Sequence, residues 1–479
     1  MQLRSRNIPS AGESPANTSS RSRWTSLPPE IRLMILEQLQ RTKFPEQRTV
    51  SWCSVSSEWQ AFFEKQNFRS LKLMTLADIQ RFQRLVRDRQ RLVKQVWLHI
   101  MLQRYGCGQC DIPEAARTIT ANNQTFSRRI LALLTVLSQW DTTEREGTGL
   151  TLKLSAASPS DVEHRFSERG ANGRNHQVRA QWLRFSKQGS KMRRIGSLLD
   201  FDTKAFTPKL RRQAQGGLPA TPVVTEFVMS RTSHRSMSAA ALEKVLPSFT
   251  RLEHIRYQPW RGVDLDDQML RDLSNAALLQ NLPSAISSLS LWEEASTRFH
   301  HRFRKLDEPT MDLVSAAVDA SQRLRAFSAS YAVDAVDFFR VAHGRTTTPY
   351  WPDLKTLAFT SMKALFDVRG SVLANDLLSA AGQAAMRMPQ LGTLEIWSWR
   401  ADDGFRFVYE VSERQTKLMI ESSWNFRPSR DMLEVWRTVG ATHTRHELEV
   451  THVTLSKEQV ARKYEFLPRL RLRNFIDGP

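Results

Sequence analysis

Two rhythms of apolar residues alternate along this chain. Short strings with leucine-like residues at positions one, four and six recur at Arg251–Tyr257 (RLEHIRY), Ala285–Trp292 (AISSLSLW), Arg323–Ala329 (RLRAFSA), Asp353–Phe359 (DLKTLAF) and Gln390–Trp397 (QLGTLEIW). Period-two alternation of this kind predicts short strands. Between them, Ser238–Leu246, Thr310–Ala320 and Leu373–Arg387 carry apolar residues at helical spacing. Taking Ile255, Leu289, Phe327, Leu357 and Leu394 as strand centres, the unit recurs every 30 to 38 residues. A short strand and a helix cannot bury their own apolar faces, so neighbouring units stack, and the pattern predicts a curved α/β solenoid with a parallel sheet backed by helices. Upstream, Leu92–Val93 with Val96–Leu98, and Thr151–Leu154, predict earlier strands, while Leu76–Lys94 and Thr118–Trp140 predict helices. Downstream, Phe405, Phe407 and Tyr409 alternate, as do Leu418 and Ile420, and Met432–Val439 predicts a helix with Trp436 inside. This last part predicts an α+β cap over the exposed end of the array.

The N-terminal stretch Trp24–Leu73 has a different character, three short helices and the start of a strand. Pro28 and Pro29 fix φ where a helix begins and needs no amide donor, and Glu30 puts negative charge in its first turn. The helix then holds more hydrophobe than one buried face can use. Ile31, Ile35 and Leu39 share a face, and Leu33, Met34 and Leu36 cover much of the rest, so part of this surface is expected to meet another protein. After Pro45, Val50, Cys53 and Val55 predict a brief apolar helix, and Ser56 is placed to cap a third helix bearing Trp59, Phe62 and Phe63.

The run Leu27-Pro28-Pro29-Glu30-Ile31, the Ile35-Leu36 pair, and Val55-Ser56 followed by Trp59 resemble an F-box, the module that docks a receptor onto the Skp adaptor of cullin-type ubiquitin ligases. The connection from Gln40 to Thr49 is longer and more charged than is usual there, and Ser57-Glu58 follows Val55-Ser56 where the family is often basic. The resemblance implies adaptor contacts from Leu27, Pro28, Pro29, Ile31, Ile35, Leu36, Leu39, Val55 and Trp59. An F-box followed by an irregular leucine-rich-repeat-like array is the order of a large class of ligase receptors. Leu154-Ser155-Ala156, Ser158-Pro159-Ser160-Asp161, Pro222 to Phe227 and Gln258-Pro259-Trp260-Arg261 further resemble landmarks of filamentous-fungal F-box proteins whose region behind the box has no assigned role.

These patterns divide the chain into a basic disordered tail (1–23), the F-box (24–73), first solenoid units (74–154), a basic flexible insertion (155–220), the leucine-rich-repeat-like solenoid (221–400) and the α+β cap (401–479). The insertion carries thirteen Lys and Arg against five Asp and Glu. Over all 479 residues the formal charge is +20, which favours acidic partners, nucleic acid or an acidic or phosphorylated protein segment among them. Three cysteines and a start without an apolar leader segment fit a reducing compartment, cytoplasm or nucleus, with no disulfide framework. The longest apolar stretch, Ile130–Leu137, is too short to span a bilayer.

Signatures of catalysis are sparse. The chain has no phosphate-loop, nucleophile-elbow or zinc-protease motif. Cys107 and Cys110 have metal-knuckle spacing but no second pair, His443 and His446 lack a third ligand, and His300-His301 sits in a basic run. The expectation is a non-catalytic adaptor without cofactor or metal. It would bind a Skp-type adaptor, and through it a cullin, and present a protein substrate on the solenoid. A basic nucleic-acid-associated protein and a non-degradative F-box scaffold are the alternatives.

Overall fold

The computed structural model describes residues 24–42, 51–106, 109, 113–142, 149–163, 197–202, 217–231, 233, 235–262, 265–293, 309–363, 371–400 and 403–476. The chain divides into two compact units, Met1–Phe68 and Arg69–Pro479.

In the first unit, α1 (Pro29–Arg41) begins directly after Pro28, with Glu30 in its first turn and Arg41 in its last, so its charges oppose the macrodipole. A helical turn at Ser51 and Trp52 precedes α2 (Ser57–Arg69), where the Ser56 hydroxyl accepts the Trp59 amide at 3.3 Å. The interior is aromatic. The Trp59 ring lies 5.3 Å from Trp24, 6.5 Å from Trp52 and 5.7 Å from Phe63. Glu58 accepts from Trp24 Nε1 at 2.9 Å and pairs with Arg32 at 3.2 Å, tying α1 and the residues before it to α2. Val50 and the expected tail at 1–23 lie outside the described residues.

The second unit is built on one twelve-stranded, mostly parallel sheet whose strand order follows the chain. Nine parallel strands come first: β1 (Ser70–Leu73), β2 (Gln95–Met101), β3 (Leu150–Ala157), β5 (Val224–Met229), β7 (His254–Tyr257), β8 (Ser288–Trp292), β9 (Ala326–Ser330), β10 (Thr356–Thr360) and β11 (Thr393–Arg400). The short β4 (Ser197–Leu199) and β6 (Arg235–Met237) form a separate parallel pair. One rung runs through all nine as Leu71, Val96, Leu152, Phe227, Ile255, Leu289, Phe327, Leu357 and Leu394. The five strand centres read from the sequence are its last five members, and all are buried. A one-residue slip anywhere would turn this set to the other face, so register and burial enforce each other.

The helices between strands are α3 (Leu76–Leu85), α4 (Ala116–Leu137), α5 (Pro159–Glu163), α6 (Ala239–Val245), α7 (Leu265–Gln280), α8 (Met311–Ser321), α9 (Ala335–Gly344), α10 (Ser371–Ala385) and, after the antiparallel strands, α11 (Arg430–His443). From α6 onward each packs on its successor. Their starts are written in capping residues: Thr75, Ser238, Thr310, Asp334 and Ser429 each accept a first-turn amide. The helices back the apolar rung, as when Phe338 of α9 meets Phe327 at 6.3 Å and Phe359 at 4.5 Å. Among the described residues, no helix is long and apolar enough to cross a membrane.

Two expectations change here. The expected C-terminal cap is not a separate layer: β12 (Asp403–Val411) adds antiparallel to β11, β13 (Thr416–Ser422) antiparallel to β12, and β14 (Leu448–Thr454) parallel to β13, all in the main sheet. The final segment turns back across the sheet face opposite the helices, where Leu455, Val460, Phe466, Leu467, Leu470 and Ile476 form one buried cluster with Trp292, Ala358 and Trp397. The expected insertion also begins later than residue 155. Ser155–Ala157 complete β3, and the hydroxyl of Ser233 accepts the Ala156 amide at 2.9 Å, a close approach that the small side chains there permit. Most of the rest of the insertion, residues 164–196 and 203–216, lies outside the described residues.

Candidate docking surfaces

On α1 the excess of hydrophobe is left facing out. Ile31, Leu33, Met34 and Ile35 are exposed, Met34 to 63%, and Val55 before α2 is 58% exposed. Exposed apolar side chains this close together form a candidate interaction surface. Pro28 and Pro29 are also exposed, while Leu27 and Leu39 are half-buried. Two of the expected contact residues turn inward instead. Leu36 is 2% exposed, and Trp59 is half-buried among Trp24, Trp52 and Phe63. Trp59 is thus spent on the small unit's own aromatic interior. Leu33 and Met34 belong to the outward face although they were not among the expected contacts; their signal was their misfit to a single buried stripe.

A second surface lies on the sheet face opposite the helices. The rung next to the apolar one reads Lys72, Trp97, Lys153, Val228, Arg256, Ser290, Ser328, Ala358 and Glu395. Its far half is occupied by the chain's own C-terminal segment. Glu395 Oε1 accepts the Arg471 amide at 2.9 Å and Oε2 the Leu472 amide at 2.9 Å. Ser290 donates to the Ile476 carbonyl at 3.2 Å and Arg256 to the Asn474 carbonyl at 3.3 Å.

The near half is basic and aromatic. The ammonium groups of Lys72 and Lys153 lie 4.2 Å and 4.7 Å from the centre of the Trp97 ring; Lys72 is exposed, and Trp97 and Lys153 are half-buried. Neither lysine has an ion pair among the described residues. Behind them, Ser155 Oγ accepts Trp97 Nε1 at 2.7 Å and lies 2.8 Å from His99 Nδ1. The Ser155 hydroxyl thus joins the indole and the imidazole in one hydrogen-bonded row. Burial, and then the charges of Lys72 and Arg129, push His99 down to about 4, so it is neutral at physiological pH. The Ser155–His99 pair has the spacing of a nucleophile and its base, but Ser155 is 1% exposed, His99 is a weak base, and among the described residues no carboxylate orients the ring.

The third set of polar residues lines the carboxyl ends of the parallel strands, where α/β sheets commonly place ligands. Asp161 is fully buried, accepts the Tyr105 hydroxyl at 2.6 Å and the Ser158 amide at 2.7 Å, and pairs with Arg235, which also meets Glu114. Beyond β7, Trp260 donates to the Arg231 carbonyl and Gln258 accepts the Arg231 amide. The landmarks Ser158–Asp161 and Gln258–Arg261 thus fall where strands β3 and β7 end. Asp334 is saturated by the amides of Val336, Met362 and Lys363 and the Ser361 hydroxyl.

Between these ends is a cavity of about 30 Å³ lined by Arg261, Gln268, Glu293, Tyr331, Asp334 and Thr360, among others. It has room for a water or two but not for a metabolite. Glu293, 2% exposed, leaves Oε1 without a hydrogen-bond partner among the described residues. Burial lifts its carboxyl to about 7, against the pull of Arg261, Arg271 and a Gln268 hydrogen bond, with Asp272 adding to the rise. The folded chain therefore holds this proton up to about pH 7, while the unfolded chain releases it near 4.5. Stability from this group is full below the lower value and falls by roughly 3 kcal/mol as pH rises through the interval. Glu293→Gln is expected to match the wild type near pH 4.5 and to unfold at higher urea at pH 8. An unchanged pH dependence of the urea midpoint would contradict this assignment.

Among the described residues, no three His, Cys, Asp or Glu side chains converge. His443 Nε2 binds the Met386 carbonyl at 3.1 Å. Cys107, Cys110, His300 and His301 lie outside the described residues.

Residues 281–476 match the model of a family described as one of unknown function, DUF6546. The match takes in β8 to β14 and the segment folded back over them. No curated protein matches the chain.

Proposed function

We propose that this chain is the substrate-receptor subunit of a cullin-type ubiquitin ligase. Its N-terminal unit acts as an F-box that binds a Skp-type adaptor, and its second unit acts as an irregular leucine-rich-repeat-like solenoid that binds a protein substrate. The observation that carries the first half is the apolar face of α1, with Ile31, Leu33, Met34 and Ile35 exposed beside Pro28, Pro29 and Val55. Covering a side chain of this size contributes about 1.5–3 kcal/mol when burial is complete. A helix face that leaves four of them in water has been kept for a partner. The solenoid half is supported by one rung continuing through nine parallel strands in chain order and by helices that pack successor on predecessor.

The receptor's contribution would be proximity. Holding a substrate lysine beside ubiquitin activated on the assembled ligase raises its effective concentration, and no catalytic side chain is needed on this chain. Co-purification of the full chain with a Skp-type adaptor tests the reading, beside Leu27→Ala with Pro28→Ala and beside Met34→Glu. Both variants should keep the wild-type unfolding midpoint. Capture by the wild type with at least tenfold weaker capture by each variant is expected; a folded wild type that captures no adaptor would remove the reading.

A further inference from the structure

The near half of the open sheet face is a built site rather than a scatter of surface charge. Lys72, Trp97 and Lys153 come from three adjacent strands locked at one register position. Trp97 is held by its bond to Ser155, and both ammonium groups lie against its ring. Two like charges are thus fixed around one ring with no carboxylate paired to either among the described residues. Burial, with Arg256 and Lys72 close by, pushes the Lys153 ammonium down, as expected where positive charge gathers without a counter-charge.

We propose that Lys72 and Lys153, over the face of Trp97, bind the phosphate of a phosphorylated side chain in an extended peptide segment. Both nitrogens lie within about 5 Å of one ring centre, so the two ammonium groups offer charge-assisted hydrogen bonds to an anion seated beside the indole. A phosphate monoester brings about −1.5 to −2 charge to the pair's two positive charges. The peptide form follows from the same face. Its far half already receives the C-terminal segment through donors to its carbonyls and acceptors for its amides. Nucleic acid is disfavoured because Trp97 stands alone, without a series of aromatic rings for successive bases. The inference rests on the receptor reading only in taking the partner to be a protein substrate.

The test is fluorescence anisotropy of the full chain with a degenerate acidic peptide pool carrying a central phosphoserine. The same pool with serine and an oligothymidylate are measured beside it. The wild type is expected to bind the phosphorylated pool at least tenfold tighter than the other two probes. Lys72→Gln with Lys153→Gln should lose that preference, while Arg87→Gln with Arg91→Gln, of equal charge change, should keep it. Equal binding of both pools, no binding of the phosphorylated pool, preference for the oligonucleotide, or equal loss in both double variants would overturn the proposal. Adaptor capture by the Lys72/Lys153 variant is measured in parallel. If capture persists while peptide preference was never present, this inference fails and the receptor reading stands.

Discussion

Replacing Arg235 with methionine is expected to lower the free energy of unfolding by about 3–5 kcal/mol. Arg235 is 1% exposed and answers two carboxylates, Asp161 at 3.4 Å and Glu114 at 3.3 Å. Methionine fills much of the same volume, so the loss is one of charge rather than packing. Asp161 would keep the Tyr105 hydroxyl and the Ser158 amide but remain a fully buried anion with no cation, beside the nearly buried Glu114. Asp161 joins the end of β3 to the segment at Tyr105, so the damage should spread through the sheet's carboxyl edge. The double variant with Asp161→Asn should recover part of the loss, because it removes the stranded charge while keeping an acceptor for Tyr105. Urea midpoints by circular dichroism measure this, and a shift within that of an exposed-pair control such as Lys417→Ala would contradict it.

Glu395→Ala should cost a similar amount, about 3–5 kcal/mol, and release the C-terminal segment first. Glu395 is fully buried, pairs with Arg406 at 2.8 Å, and holds the Arg471 and Leu472 amides. Arg406 also meets Glu421 at 3.1 Å, and Glu421 meets Arg469 at 2.7 Å. Burial tends to raise the Glu421 carboxyl, yet the hydrogen bonds and charges of the two arginines hold it below its ordinary range. Alanine at 395 leaves Arg406 with one carboxylate and leaves two amides without acceptors, while the apolar cluster beneath the segment stays in place. Trypsin should then cut at Arg469 or Arg471 well before the sheet unfolds. Cleavage at the wild-type rate would show that the apolar contacts of Phe466, Leu467 and Leu470 suffice to hold the segment.

The units of the second domain were legible where strand and helix rhythms contrast. Leu289 or Leu357 can be picked as a strand centre because small or polar residues flank it and a helical rhythm follows. β5 was harder: its Thr225 and Glu226 fall together and blur the alternation, although Phe227 is a member of the buried rung. The antiparallel strands β12 and β13 were legible as strands but not as members of the main sheet, since alternation does not say which edge a hairpin joins. The course of the C-terminal segment was hidden because three helical turns of four residues show no period. On α1 the sequence announced a surplus of hydrophobe but not which residues would turn in, and Leu36 went to the core. The Lys72–Trp97–Lys153 site could not be read at all, because its members lie far apart in the chain and only the strand register brings them to one rung.

The most direct test of the receptor reading is hydrogen exchange on the full chain with and without a purified Skp-type adaptor. Added adaptor is expected to slow exchange across Pro29–Arg41, strongest around Ile31 to Ile35, and to leave β7 to β11 unchanged. Unaltered exchange in that helix at saturating adaptor, or protection confined to the sheet, would contradict the account.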